Sequence, residues 1–198
     1  AWGTANMRTG GDDIAQALAL MGVQPVWDKQ ANRIVSFEII PLTVLGRPRV
    51  DVIFRISGFF RDAFPAQVDL LDSAVRAISA QDESEFDNPL AAQVKKDTVL
   101  LVADGSKQDE AKRRAGFRIF GSKPGAYGAG LQTLIDERCW ETDEDLKRAY
   151  VAWGGYAYGD GAEGESEEKL FEARLKGVEI IVHNQDNHEH DILDSDDY

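Results

Sequence analysis

The chain has 198 residues, 43% of them apolar, with 18 glycines besides. That is enough material for a sizeable core, and it excludes disorder throughout. A single cysteine, Cys139, excludes a disulfide framework and any multi-cysteine zinc or iron–sulfur centre, no apolar run approaches the ~18 residues of a membrane span, and a net charge of −13 argues against nucleic acid and anionic membranes as partners.

The expectation is a cytoplasmic globular piece of about one domain. Ala1-Trp2-Gly3-Thr4 reads as the tail of a strand entering a turn. Gly10-Gly11-Asp12-Asp13 opens a helix with carboxylates at its positive end and Ile14, Leu18 and Met21 on one face, and Gly22 closes it. Gln24–Trp27 and Arg33–Ile40 follow as strands around a polar turn, and Val50–Ile56 is expected as a further strand. A helix beginning near Pro65 is amphipathic through Val68, Leu71, Val75 and Ile78. Asn88-Pro89 is an N-cap and N1 pair before Leu90, Val94 and Leu101; Ser106-x-x-Asp109 and Thr142-x-x-Asp145 resemble capping boxes with Asp in place of Glu. Between the two boxes lies a glycine-rich stretch, Phe120–Gly130. After an acidic, glycine-rich loop, Asp160–Glu165, a short helix leads through Gly177 into Val178–Val182, which has the continuous apolar character of a buried strand. The sum is an α/β fold: a mostly parallel sheet flanked by helices, with a helical insertion in the middle of the chain. One domain over 1–198 is expected, with 1–80 and 161–198 as the α/β core and 81–160 as the mainly helical insertion. An opening without Met and an abrupt Asp194–Tyr198 suggest a piece of a longer chain.

The charge is uneven, net +1 over residues 1–62 and net −14 over 63–198. The acidic part ends in all three histidines, His183, His188 and His190, beside Asp186, Glu189 and Asp191. In open α/β sheets ligands bind at the carboxyl ends of strands. Imidazole with carboxylate suits Co²⁺, Ni²⁺, Zn²⁺ or Fe²⁺ without choosing among them. The same run equally suits a pH-sensitive loop or a solvated polar one, and its spacing matches no standard zinc pattern. The glycine-rich stretch reads either as a backbone cradle for an anion or as a flexible connection between helices. It lacks the Gly-Lys-Ser/Thr ending of a P-loop, and Thr133 stands where Rossmann spacing requires glycine. A basic helix precedes it, with Lys112, Arg113, Arg114 and Arg118. Ser57 has no histidine near it in sequence and no nucleophile elbow. Arg61 reads as a carboxylate binder or as the ion-pair partner of Asp62, and the four tryptophans as packing residues.

Five separated motifs, in order, resemble the large subunit of the ATP-dependent chelatases of tetrapyrrole synthesis. They are Trp2-Gly3-Thr4…Arg8-Thr9-Gly10-Gly11-Asp12-Asp13, Leu45-Gly46-Arg47-Pro48-Arg49-Val50-Asp51-Val52, Ser57-Gly58-Phe59-Phe60-Arg61-Asp62, Arg118-Ile119-Phe120-Gly121…Gly125-Ala126-Tyr127-Gly128, and His183-Asn184-Gln185-Asp186-Asn187…His190-Asp191. The histidine-rich last motif is similar to the CobN-type cobaltochelatase branch more than to the magnesium chelatase branch. The resemblance implies a C-terminal portion of a large chain that holds tetrapyrrole and metal. It further implies that a separate AAA+ ATPase partner hydrolyses ATP, which this chain would not bind, and that Co²⁺ is inserted as substrate into hydrogenobyrinic acid a,c-diamide, a corrinoid precursor of cobalamin. On that resemblance Arg61, Gly125, Tyr127 and Gly128 are candidates for holding the substrate, and His183, Asp186, Glu189 and His190 for the metal. It also leaves open a scaffold that docks the ATPase, and the magnesium branch acting on protoporphyrin IX; the fragment alone is expected to be inactive.

Overall fold

The computed structural model describes residues 3–31 and 33–184. Its elements in chain order are α1 (Gly3–Thr9), α2 (Asp12–Met21), β1 (Val23–Asp28), β2 (Arg33–Ile39), α3 (Leu42–Leu45), β3 (Phe54–Arg55), α4 (Gly58–Ala63), α5 (Pro65–Ser79), α6 (Pro89–Ala103) and α7 (Gln108–Ala115). There follow β4 (Ile119–Gly121), α8 (Gln132–Asp136), α9 (Asp143–Gly154), β5 (Tyr156–Gly159), β6 (Ala162–Ser166) and α10 (Glu168–Lys176). They gather into two units. The first takes the chain up to Gly11, Ile53–Pro65 and everything from Ile119; the second takes Asp12–Val52 and Ala66–Arg118.

In the second unit the expected amphipathic faces are the buried ones: Ile14, Leu18 and Met21 of α2, Val68, Leu71, Val75 and Ile78 of α5, Leu90 and Val94 of α6. Asn88 caps α6, its Oδ1 accepting from the Ala91 N–H at 2.9 Å, with Pro89 in the first turn. β1 and β2 form an antiparallel pair. Arg47 and Arg49 close the C-terminus of α2, where carbonyls lack helical partners. Arg47 donates to the Ala19 and Leu20 carbonyls at 2.6 and 3.0 Å, and the fully buried Arg49 to those of Met21 and Gly22 at 3.1 Å and of Ile40 at 3.0 Å. Arg49 is neutralised by Glu83, whose two carboxylate oxygens accept at 2.7 and 2.8 Å. Gly22 makes room for this clamp: at φ +77 a side chain there would be strained, and its Cβ would lie 2.5 Å from Arg49 Nη1.

The first unit is built on a four-stranded sheet in the order β3-β4-β5-β6. Only β3 and β4 are parallel; β4–β5 and β5–β6 are antiparallel. The α/β class with flanking helices therefore holds, while the mostly parallel sheet is corrected. The reason is local: Asp160-Gly161, with φ of +48 and +77, makes a two-residue turn, and so short a link joins only antiparallel strands. The stretch read as an acidic loop is thus largely a hairpin, and its Asp-Gly pair was the signal for it.

Four other expectations change. Gly3 and Thr4 open helix α1, whose lack of a Cβ at Gly3 admits the Phe59 ring of α4. Of Val50–Ile56 only Phe54 and Arg55 join a sheet. Val178–Val182 forms no strand, and Ile180 and Ile181 are 80% and 86% exposed; strand-like composition alone does not make a strand, since what it measures is fit to a half-buried sheet surface. Ser106 is not a cap either: α7 begins after Lys107, and the Ser106 hydroxyl accepts from Arg114 at 3.2 Å. No described helix is long and apolar enough to cross a membrane.

Candidate functional site

The first unit organises itself around Arg61. Ser57, in extended backbone, caps α4 by accepting from the Phe60 N–H at 3.0 Å, which is the role this serine has. One turn on, Arg61 projects into the glycine-rich connection that follows β4, and it is only 9% exposed. Its Nε and Nη2 grip the Asp62 carboxylate at 2.6 and 2.8 Å, a two-pronged pair that also bears out the ion-pair reading. Its Nη1 reaches the connection itself: the Lys123 carbonyl at 3.0 Å, the Ser122 carbonyl and hydroxyl at 3.2 and 3.3 Å, and the Ala126 carbonyl at 3.3 Å.

Further bonds fix the same segment. Ser122 Oγ donates to the Ala126 carbonyl at 2.7 Å, and the buried Tyr158 hydroxyl of β5 donates to the Ser122 carbonyl at 2.5 Å. Trp153 Nε1 of α9 donates to the Gly128 carbonyl at 2.9 Å, and the Tyr127 hydroxyl donates to Asp62 at 2.7 Å. Gly125, Gly128 and Gly130 take φ values of +79, +75 and +78, which only glycine adopts freely. Gly58 packs directly beneath, where a Cβ would fall 2.6 Å from the Ala126 carbonyl and 2.7 Å from the Tyr127 ring. Glycine therefore supplies the shape of this loop, and the donors around it remove the freedom that composition suggested.

The electrostatics follow from these contacts. Arg61 holds the Asp62 carboxyl below the ordinary carboxylate range, and Asp62 in turn keeps the Arg61 guanidinium charged. The Tyr127 phenol is pushed up because its proton is bonded to Asp62, and burial does the same for Tyr158. At neutral pH the loop thus presents neutral phenols, a paired Arg–Asp and one exposed cation, Lys123. The backbone N–H groups of Gly125, Tyr127 and Gly128 point to no acceptor among the described residues.

The structure brings Arg61, Gly125, Tyr127 and Gly128 together and adds Asp62, Ser122, Trp153 and Tyr158, whose roles depend on contacts up to 65 residues apart in sequence and so leave no local signal. His183 follows α10 in irregular chain. Asp186, Glu189 and His190, with His188, lie outside the described residues, and among the described residues no His, Cys, Asp and Glu side chains gather as a metal site. A groove of about 350 Å³ between α9 and α10 is lined by Glu144, Lys147, Arg148, Glu168, Lys169 and Glu172. Its charges answer one another, Lys147 bridging Glu144 and Glu172 at 3.0 Å each, and it reads as a helix-pairing network.

Comparison with known proteins gives a consistent result. The family model described as CobN/Magnesium Chelatase matches residues 1–198. The chain is 62% identical, over its whole length, to the aerobic cobaltochelatase subunit CobN of a Sinorhizobium species, and 57% identical to that of Pseudomonas aeruginosa; in each it spans 16% of the relative. It is 34% identical to the large magnesium-chelatase chain (the H-type one) of Rhodobacter capsulatus, again over its whole length and 16% of the relative. Among solved structures, the catalytic subunit of cobaltochelatase from Mycobacterium tuberculosis superposes with a TM-score of 0.82 at 49% identity, over 89% of this chain and 14% of that one.

Proposed function

Because this chain belongs to the CobN/magnesium chelatase family, we propose that it is a portion of a cobaltochelatase large subunit, which inserts Co²⁺ into hydrogenobyrinic acid a,c-diamide while a partner AAA+ ATPase hydrolyses ATP. The observation that carries the choice of branch is the gap between 62% identity to a CobN subunit and 34% to its magnesium-chelatase counterpart over the same residues.

Insertion requires Co²⁺ to shed water, to be held over the macrocycle, and to replace the pyrrole N–H protons, which leave to a base. We assign the transient metal contacts and proton acceptance to His183, Asp186, Glu189 and His190, since imidazole and carboxylate are suited to both tasks. Arg61, Gly125, Tyr127 and Gly128 hold the substrate's periphery. Each nitrogen of Arg61 donates within the unit, so Arg61 acts chiefly by fixing the loop, and the unpartnered N–H groups of Gly125, Tyr127 and Gly128 meet the carboxylates.

The full subunit, with its ATPase partner and ATP, is offered Co²⁺ or Mg²⁺ with hydrogenobyrinic acid a,c-diamide or protoporphyrin IX. The expected product forms only from Co²⁺ and the corrinoid precursor, and it falls at least tenfold when His183→Ala is combined with His190→Ala. Insertion of Mg²⁺ into protoporphyrin IX transfers the chain to the magnesium branch; unchanged cobalt insertion in the double variant removes the histidine assignment.

A further inference from the structure

Two aromatic rings, Tyr127 on the Arg61-anchored loop and Trp153 of α9 against it, are exposed and yet held in place. Tyr127 is 59% and Trp153 39% exposed. A tyrosine or tryptophan in solvent ordinarily keeps its rotamer freedom, because ordering it costs entropy that nothing returns. Here each ring is fixed twice. Tyr127 lies against Gly58, where a Cβ would come within 2.7 Å of its Cδ1, and its hydroxyl is bonded to Asp62 at 2.7 Å. Trp153 lies against Gly130, where a Cβ would come within 2.5 Å of its Cγ, and its Nε1 is bonded at 2.9 Å to the carbonyl of Gly128, the residue next to Tyr127. Gly58 and Gly130 thus serve as seats for the two rings, and the polar atom of each ring is hydrogen-bonded to the protein.

What such rings leave outward is apolar, flat surface. The same loop carries Lys123, an exposed ammonium with no carboxylate partner among the described residues, in a molecule of net charge −13 where acidic side chains outnumber basic ones. Pre-ordered rings beside an unanswered cation complement a flat conjugated molecule that carries carboxylates: stacking on the ring faces, ion pairing at the edge. A polypeptide partner would need apolar side chains over the rings and an acidic one at Lys123.

We propose that Tyr127 and Trp153 form a stacking surface for the conjugated ring of the tetrapyrrole, and that Lys123 pairs with one of its peripheral carboxylates. This rests on the functional reading above and deepens it by adding Trp153 and Lys123 and by giving Tyr127 a stacking role. Gly58 and Gly130 are positioning residues, required because any side chain there displaces a ring.

The test is equilibrium binding to the full-length subunit, with hydrogenobyrinic acid a,c-diamide as the probe and its carboxylate methyl esters as the second probe. Tyr127→Ala and Trp153→Ala each raise Kd about tenfold, in the range of aromatic stacking on a conjugated ring. Tyr127→Phe, which keeps the ring and loses only the bond to Asp62, changes Kd by no more than about threefold. Lys123→Ala raises Kd about fivefold for the free acid and leaves the ester unchanged. If both alanine variants bind as the parent does while the subunit's melting midpoint falls, the rings are covered by other parts of the subunit and the proposal is overturned. If Tyr127→Phe weakens binding as much as Tyr127→Ala, the hydroxyl and not the ring face is the contact, and the stacking surface is likewise overturned. Absence of any binding by the parent subunit overturns the functional reading itself, a result distinct from either.

Discussion

Arg49, Arg61 and Arg118 are three buried guanidinium groups, each met by both oxygens of a carboxylate: Glu83, Asp62 and Asp51. Arginine suits these places because its planar fork satisfies a carboxylate on one side and still has N–H groups for backbone carbonyls on the other. Burying a charge is costly, and the pairing mainly offsets that cost. The remaining N–H groups do the structural work, on the Met21, Gly22 and Ile40 carbonyls for Arg49 and on the loop carbonyls for Arg61. This division is measurable. Arg49→Met leaves the half-buried Glu83 carboxylate without its cation, with only Asn88 still donating to it at 2.9 Å, and is expected to lower stability by about 3 kcal/mol. Adding Glu83→Leu removes the stranded charge and recovers part of that loss. The double variant nevertheless stays below the parent, because the Met21 and Gly22 carbonyls at the end of α2 and the Ile40 carbonyl after β2 have each lost a donor, at up to about 1 kcal/mol each. Urea unfolding of the three proteins checks it: a double variant as stable as the parent would show that the carbonyl clamp contributes nothing.

Elements whose causes are local are legible in the residues, and α9 is the clearest. Its first turn holds Asp143, Glu144 and Asp145, and the Asp145 carboxylate accepts from the Thr142 N–H at 2.9 Å, the Glu141 N–H at 3.2 Å and the Thr142 hydroxyl at 3.1 Å. These bonds, first the backbone ones and then that from Arg148, hold Asp145 at about 2, below the ordinary 3.8. A carboxylate lowered in the folded state stabilises fully above its unfolded value and loses that contribution as pH falls through the folded one. Protection of the amides in the first turn of α9, taken relative to their intrinsic exchange rate at each pH, is therefore expected to fall between pH 3.8 and about 2, and in Asp145→Asn to be low already at pH 5. Protection in the parent that is flat across that interval would refute the cap. The α2 and α5 faces, the Asn88-Pro89 cap and the β1–β2 hairpin were legible for the same reason: periodicity, capping and turn chemistry act within a few residues. The conformation of the Ser122–Gly130 loop was not. Its glycines were visible, but the donors that fix it, Arg61, Tyr158 and Trp153, arrive from three other elements. Val178–Val182 failed in the opposite sense, with strand composition but an irregular, exposed backbone that joins neither described sheet.

The chain passes between its two units four times, at Gly11/Asp12, Val52/Ile53, Pro65/Ala66 and Arg118/Ile119. The connectivity alone couples their stability. If the second unit unfolded while the first stayed intact, Asp12–Val52 and Ala66–Arg118 would become closed loops of about 40 and about 50 residues. A closed loop of that size recovers less entropy than a free chain, by roughly 3 kcal/mol each. Separate opening is disfavoured by that amount twice over, so cooperative unfolding of both units is the expected route. Arg118 is the place to test it. It is the last residue of the second unit, pairs with Asp51 at 2.7 and 3.0 Å within that unit, and directly precedes β4 of the first. Native-state hydrogen exchange should therefore show the slowest amides of α5, in the second unit, and of β4 and β5, in the first, opening with one common free energy. In Arg118→Ala both sets should fall together by about 3–5 kcal/mol. If α5 loses protection while β4 and β5 keep theirs, the second unit opens alone, and the four crossings do not bind the two into one cooperative molecule.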